Sequence, residues 1–249
     1  MDINAVCEKA SQSKTLSGLN GIKLIFHPQN TLPYIFRNRD ERNLAFLDEP
    51  YLLVRNLDGL GFLKENGYTG EIHADHTLYT CNPASRDFLK SQGIRHDTAP
   101  LELSFKELKA RGMEGSELMI YGRVPMMISA GCLYRNSNGD RCDKSIKDRH
   151  DLILTDRMDT DFPVLCICRY CYNIVLNSVP LSLHGCMDKV MDLDPDSLRL
   201  YFTTESETET VRIASYYLDL VWEYEEGGNA FAAPPITSFT KGHFIKGHL

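Results

Sequence analysis

The sequence lacks the segments that send a protein into or across a membrane. The first residues, MDINAVCEKASQSK, contain no basic stretch followed by an apolar one, which a signal peptide requires. No apolar run approaches the ~20 residues of a membrane-spanning helix. The hydrophobic fraction of 43% and the mean hydropathy of -0.29 are typical of a globular chain. We therefore expect a cytoplasmic protein.

Positive charge is also scarce. Lysine and arginine number 27 against 34 acidic residues, which gives a net charge of -7. Because binding to phosphates over a large surface needs a basic footprint, this balance excludes a whole-surface nucleic-acid binder. It leaves room for a local contact, since five basic residues fall in one short stretch: Arg135, Arg141, Lys144, Lys147 and Arg149.

The sequence motifs of the common peptidases are missing as well. There is no Gly-x-Ser-x-Gly, and none of the eight histidines belongs to a His-Glu-x-x-His motif. The residues alone therefore indicate neither a serine nor a zinc peptidase.

Strand and helix patterns do alternate between residues 51 and 127. Predicted strands cover 51–56, 71–80, 94–100 and 117–129, and predicted helices cover 57–67, 82–93 and 103–112. The second helix has Asn82 as its N-cap and Pro83 in its first turn. With one more strand at 21–30, the pattern predicts an α/β fold of about five parallel strands. A closed eight-stranded barrel takes about 250 residues, so we expect either a shorter open sheet or half of a larger barrel.

The second half of the chain differs from the first in composition and in predicted structure. Residues 130–190 are rich in cysteine and are predicted to be irregular. A strand is expected at 197–204 and an amphipathic helix at 207–226, whose inward stripe is Val211, Ala214, Leu218 and Val221. We therefore divide the chain into a half-barrel-like domain of βα repeats (1–129) and a cysteine-rich cluster region with a C-terminal strand, helix and TKGHF tail (130–249).

Five of the eight cysteines lie between residues 132 and 171. In a reducing cytoplasm, such clusters bind metal or react more often than they form disulfides. Cys168 and Cys171 form a C-x-x-C pair, and an Asn-Gly turn signal lies between Cys132 and Cys142. Zinc held by four cysteines usually uses two close pairs, whereas iron–sulfur clusters accept irregular spacing. The spacing favours iron–sulfur, with zinc, buried thiols and redox disulfides as alternatives.

Cys166 is the fifth cysteine of this region and belongs to neither of these two pairs. In an extended chain it shares a face with Cys168, so it could substitute as a ligand. Its position after Pro163 and Val164 favours a buried core residue instead. Spacing alone does not separate Cys166 from Cys168.

A few polar residues fall near the predicted carboxyl ends of strands, where barrel enzymes place their active sites. They are Asn56, Glu102 and Arg123. An arginine there could bind a carboxylate or phosphate, and a structural ion pair at the rim is the alternative. His243, beside Lys241 and Lys246, is a candidate for contact with an anion or RNA.

Four ordered segments resemble one known family. ELMIYGRVPMMISAGC (117–132), LTDRMDTDFPV (154–164), CRYCYNIVLNSVPLSL (168–183) and FTKGHFIKG (239–247) are similar to the C-terminal part of the collagenase-like proteins of peptidase family U32. The resemblance extends from about residue 50 to the end. The Ala-Pro-Ala-Gly opening of the family is missing, so the resemblance implies the later half of a TIM-like barrel followed by the cysteine region.

The resemblance also implies a cofactor and an activity. Some members are described as collagenases, whereas others carry a four-iron, four-sulfur cluster and hydroxylate RNA pyrimidines or ubiquinone precursors without oxygen. In the tRNA and rRNA cases, prephenate is implicated as the source of oxygen. The cysteines that match the cluster positions are Cys132, Cys142, Cys168 and Cys171.

We therefore expect an iron–sulfur-dependent RNA-hydroxylating enzyme or a subunit of one, with Arg123, Glu102 and His243 as candidate catalytic residues. Its expected partners are RNA, a small carboxylate such as prephenate, and a chain that supplies the rest of the barrel. The alternatives are a collagenase-like endopeptidase and a non-catalytic, cluster-bearing partner subunit.

Overall fold

The structure, a computed structural model, describes residues 24–26, 51–137, 149–168, 171–225 and 233–247. Its strands are β1 (Leu24–Phe26), β2 (Leu52–Val54), β3 (Ile72–Ala74), β4 (His96–Thr98), β5 (Ser116–Gly122), β6 (Pro125–Ser129), β7 (Arg149–Thr155), β8 (Asp161–Ile167), β9 (Tyr172–Leu176), β10 (Leu181–Ser182) and β11 (Ser197–Tyr201). Its α-helices are α1 (Leu57–Glu65), α2 (Pro83–Ser91), α3 (Phe105–Arg111), α4 (Leu133–Ser137), α5 (Met187–Asp192) and α6 (Glu207–Glu225).

A parallel sheet, which we call sheet A, forms the larger part of the fold. Its six parallel strands have the spatial order β2-β3-β4-β5-β11-β1, and β10 pairs antiparallel with β5. Helices α1, α2 and α3 connect β2 to β5 in succession, as a parallel sheet requires. The predicted α/β class, the parallel βα units and the extra strand near the N-terminus are confirmed.

The three connecting helices begin where the sequence provides a cap. The Asn56 side chain accepts a hydrogen bond from the Gly59 N–H at 2.7 Å and so caps α1. Asn82 and Ser104 each form a capping box at the start of α2 and α3. The predicted N-cap at Asn82, with Pro83 in the first turn, is confirmed.

The predicted strand 117–129 is two strands in two different sheets. The chain leaves sheet A at Gly122, whose φ of 146° is strained for other residues. A Cβ at this position would lie 2.5 Å from the Tyr201 carbonyl oxygen, so only glycine lets β5 and β11 approach here. Pro125 then starts β6. The single-strand prediction was wrong because it ran through Gly122 and Pro125, which interrupt the apolar run where the chain changes sheet.

A second sheet, sheet B, occupies much of the region that we predicted to be irregular. It is antiparallel with the order β6-β9-β8-β7, and it is inserted in the chain between β5 and β10. Leu165, Ile167, Ile174 and Leu176 pack on one of its faces. The prediction of irregular structure across 130–190 is therefore wrong for β7, β8 and β9.

The C-terminal part of the chain returns to sheet A. β11 lies between β5 and β1, and α6 packs on the main core with Tyr217 fully buried. The predicted strand and helix are confirmed, as is the burial of Ala214 and Val221. Sheet A thus takes strands from both sides of the boundary that we placed at residue 129.

The described strands do not form a closed barrel. β1 and β2 are the two ends of the strand order in sheet A, and within the described ranges no strand joins them. In the same part of the chain, every helix is too short or too polar to cross a bilayer.

Candidate functional site

Two cysteines flank the turn that joins β8 to β9. Ile167 pairs with Tyr172 as the last pair of the two strands, so Cys168 and Cys171 lie directly beyond it. The Cys171 N–H donates to the Cys168 carbonyl oxygen at 3.3 Å, and Cys171 has a φ of 54°. This tight turn brings the C-x-x-C pair to one end of sheet B.

Cys132 lies at the same end of the sheet. It follows β6 and precedes α4, and its Sγ accepts a hydrogen bond from the Arg135 N–H at 3.3 Å. Ser129 pairs with Asn173, which is only 2% exposed, and the Asn173 amide donates to the carbonyl oxygens of Ser129 and Gly131. Asn173 therefore fixes the backbone that leads to Cys132 beside the start of β9.

Cys166 lies inside sheet B. It is 1% exposed and packs with Val164 and Val175. Cys168 contacts the same apolar cluster but is only partly buried. Cys166 thus occupies a core position, as its sequence context favoured.

The fourth predicted ligand, Cys142, lies outside the described residues, as do the Asn-Gly turn and Arg141. The backbone around that segment is informative. Helix α4 follows Cys132, and β7 begins at Arg149, which pairs with Cys166. The segment that carries Cys142 therefore leads into β7 at the end of sheet B where the other three cysteines lie.

A buried cluster of charged side chains lies in sheet A: Arg55 and Asp75 directly follow β2 and β3, and Glu117 and Arg199 lie within β5 and β11. Arg199 on β11 donates to Asp75 Oδ1 at 2.8 Å and to Thr98 Oγ1 at 2.7 Å. Its Nε also forms an ion pair with Glu117 Oε1. The second Asp75 oxygen accepts from Arg55 Nε at 2.9 Å. Two arginines thus neutralise two carboxylates in the interior.

The surroundings of these carboxylates give them different proton affinities. Burial acts to raise the pKa of Asp75, but the hydrogen bond from His76 and the charges of Arg199 and Arg55 outweigh it and hold that pKa well below its usual range. Burial raises the pKa of Glu117 despite the neighbouring Arg199. The cluster thus pairs a firmly ionised carboxylate with one that takes up a proton more readily.

The other sequence-predicted site residues lie in separate surroundings. Arg123 donates to Thr204 Oγ1 at 3.1 Å and to the Asn177 carbonyl oxygen at 2.9 Å, so it connects β5 to the loops beside it. His243 Nδ1 contacts the Gly247 carbonyl oxygen at 3.2 Å. One carboxylate oxygen of Glu102 is buried without a hydrogen-bond partner. Asn56 is the cap of α1, which is a structural role.

One Ser–His contact superficially resembles a peptidase pair. Ser182 Oγ lies 2.7 Å from His184 Nδ1 and 2.6 Å from the Tyr217 hydroxyl. Ser182 is fully buried, however, and a nucleophile must reach its substrate. This contact therefore has a structural role in the interior of the fold.

Sequence reasoning missed two groups of residues. The buried charge cluster went unnoticed because Arg199 and Asp75 are 124 residues apart. A second group is Glu71, His73 and His96, whose metal-binding atoms all lie within 4.8 Å of one another. The register of the parallel sheet is the signal that could have predicted this second group, because His73 and His96 pair directly across β3 and β4.

Fold and site together define an α/β protein with a parallel sheet and an inserted antiparallel sheet that carries cysteines at one end. A model of peptidase family U32 matches residues 50–241. The chain therefore belongs to peptidase family U32. No curated protein and no solved structure gives a significant match to the chain.

Proposed function

We propose that this U32 protein carries a four-iron, four-sulfur cluster and hydroxylates RNA pyrimidines, alone or as a subunit of a larger enzyme. The main support is the position of Cys132, Cys168 and Cys171 at one end of sheet B, the same end at which β7 begins after the Cys142 segment. The RNA substrate is inferred from the sequence resemblance.

The donor set suits this cofactor. Thiolate sulfur is the usual ligand of an iron–sulfur cluster, and hydrogen bonds to that sulfur tune its properties. The Arg135 N–H already points at Cys132 Sγ. Cys132, Cys142, Cys168 and Cys171 would hold the cluster, which would supply one-electron transfer when bound. Zinc on the same thiolates is the alternative.

The charge cluster of sheet A offers a place for a small carboxylate co-substrate such as prephenate. Arg55 is its solvent-accessible part, because 29% of its side chain is exposed against 4% for Arg199. An arginine at a strand end can bind a carboxylate through two parallel hydrogen bonds. Arg55 would orient the acid, and Glu117, whose pKa is raised by burial, would exchange a proton within the buried cluster.

The strand order adds support for a barrel-derived origin. β2, β3, β4, β5 and β11 follow one another in space as in sequence, and β1 comes after the last of them. A ring of parallel strands has this order when it is opened between its first and second members. We therefore propose that the chain forms an incomplete TIM-like barrel, and that sheet B is inserted before the last strand of this barrel.

A test of the function compares RNA nucleosides from cells that lack the protein with those from complemented cells, by mass spectrometry. We expect a hydroxylated pyrimidine to disappear in its absence and to return with the wild type. Cys186→Ala, which changes a buried core cysteine, is the matched control and should also restore it. Cys171→Ala should not. Identical nucleoside profiles in all four strains would contradict the proposal.

A second candidate is a cluster-bearing partner subunit. It is favoured by exposed apolar residues on the two outer strands of sheet B, since Met126 and Ile128 on β6 and Ile153 on β7 are each at least 60% exposed. Exposed apolar edge strands invite pairing with another chain. Hydroxylation in cells but none by the purified chain would favour this candidate. The collagenase-like alternative predicts instead that the purified chain cleaves denatured collagen, and that Cys171→Ala does so equally well.

A further inference from the structure

Three potential metal ligands converge at the amino-terminal side of β3 and β4. His73 and His96 pair across the two strands, and their rings stack with centroids 4.8 Å apart. Glu71 precedes β3, and its Oε1 lies 2.7 Å from His73 Nε2 and 3.7 Å from His96 Nε2. Both histidines thus direct the same ring atom toward one carboxylate.

We propose that Glu71, His73 and His96 bind a divalent transition-metal ion of the zinc class. Zinc is bound by imidazole nitrogen and carboxylate oxygen at about 2.0–2.2 Å, so two ligands of one ion lie at most about 4.2 Å apart. The three ligand atoms lie within 4.8 Å of one another. Small side-chain rotations bring them into range.

Neighbouring residues hold the two rings in place. The Tyr51 ring stacks on His73 at a centroid distance of 3.8 Å. Asp196 Oδ2 lies 3.7 Å from His96 Nδ1, the nitrogen that faces away from Glu71, and Asp196 Oδ1 accepts from the Gly115 N–H at 3.0 Å. A carboxylate beside the other ring nitrogen is the usual way to orient a metal-binding histidine.

The site is open to solvent. Exposed fractions of the side chains are 54% for Glu71, 42% for His96 and 20% for His73. A cavity of about 360 Å³ adjoins the site, and Glu71 and His96 contribute to its wall together with Lys64, Tyr68 and Arg95. Three protein ligands and an adjacent cavity leave room for water or an anion as a further ligand.

The donor set determines which ion is expected. Calcium and magnesium prefer oxygen ligands only, whereas two imidazoles and one carboxylate suit zinc and its first-row neighbours. The site is distinct from the cysteine end of sheet B, which offers sulfur. Glu71 precedes β3, whereas Asp75 follows it, so the site and the charge cluster lie toward opposite ends of this strand. The ion would connect β3 to β4.

The test is a titration of the metal-free, full-length chain with Co²⁺, followed by visible absorption. A nitrogen and oxygen site gives ligand-field bands without the thiolate-to-metal charge-transfer bands that the cysteine end produces. We expect such a thiolate-free site in the wild type, unaffected by Cys168→Ala, displaced by Zn²⁺ and insensitive to excess Mg²⁺. If the wild type gave no such thiolate-free Co²⁺ bands, the proposal would be overturned.

Variants assign the site to its residues. Glu71→Gln and His96→Gln should each weaken Co²⁺ binding at least about tenfold, since even the loss of an orienting neighbour costs that much. Glu65→Gln, which removes an exposed carboxylate on α1, is the matched control and should bind normally. Urea unfolding without metal shows whether each variant folds, and Glu71 is exposed enough to be replaced safely. Unchanged affinity in Glu71→Gln would refute the assignment.

Discussion

Arg199 illustrates how strongly one buried residue determines the interior of sheet A. It is 3% exposed and contacts Asp75, Thr98 and Glu117 at once. A buried charge without its partner is costly, whereas a complete set of partners offsets much of the cost of burial. The cluster is therefore stable only as a unit.

Replacement of Arg199 should be among the most damaging single changes. Arg199→Met leaves Asp75 and Glu117 without their shared cation, so we expect a loss of about 3–5 kcal/mol in the free energy of unfolding. Urea denaturation measures it. The control is Arg157→Met, because Arg157 is exposed on the β7–β8 turn, and it should change stability by less than about 0.5 kcal/mol. Equal effects of the two substitutions would contradict the role of the cluster.

The Asp75 carboxylate should make stability depend on pH in one direction. Its pKa is lower in the folded chain than in the unfolded one, where it is about 3.9. Its contribution is thus fully present above that value and is lost as the pH falls through the folded pKa. The wild type should exceed Asp75→Asn in unfolding free energy by a constant amount from about pH 7 to pH 5, and by less below about pH 4. A difference that grows on acidification would refute this assignment.

At the same scale, the sequence predicted only part of the site. The C-x-x-C pair was recognisable because its two cysteines are close in the chain. Asp75, Glu117 and Arg199 were not, because only the register of β3, β5 and β11 brings them together. Residues that act through a sheet register leave no local pattern.

At the scale of elements, helices were predicted better than strands. Caps such as Asn82 and the 3.6-residue period of α6 are local signals, and the structure has both. Sheet B was missed because the apolar runs of β7, β8 and β9 were interpreted as part of an irregular cysteine-rich region. The turn at Gly122 depends on its distance from Tyr201, which no local pattern encodes.

Gly122 should therefore tolerate no side chain. Gly122→Ala places a methyl group against the Tyr201 carbonyl oxygen and forces a disfavoured φ, so we expect a loss of about 1–3 kcal/mol. The matched control is Gly61→Ala in α1, where nothing lies within 4 Å of the added Cβ. Alanine there should stabilise the chain by about 0.5–1 kcal/mol. Thermal unfolding should show shifts of opposite sign, and shifts of the same sign would contradict this account.

Asn173 should hold the segment that leads to Cys132 in place at the cysteine end of sheet B. Asn173→Ala removes the donor to the carbonyl oxygens of Ser129 and Gly131, at an expected cost of about 1–3 kcal/mol, and releases the segment that positions Cys132. We therefore expect less iron per chain as well as lower stability. Asn136→Ala, an exposed change on α4, should alter neither. Full iron content in Asn173→Ala would show that Cys132 needs no such support.

At the scale of the whole molecule, the two sheets separate two kinds of chemistry. Sheet A carries buried carboxylates and arginines, and sheet B carries cysteines at one end. The chain passes from sheet A to sheet B at Gly122 and returns through β10, which pairs with β5. Sheet B is thus connected to sheet A at two points, both at the end opposite the cysteines, and Arg123 bonds from one connection to the other.

The central claim is that Cys168 is a cluster ligand and Cys166 a core residue. Anaerobic purification followed by quantification of iron, sulfide and zinc tests it most directly, with the wild type beside Cys168→Ala and Cys166→Ala. We predict iron and sulfide in the wild type, their loss in Cys168→Ala and their retention in Cys166→Ala. A wild type without iron and sulfide, or a cluster lost in Cys166→Ala but kept in Cys168→Ala, would contradict the account.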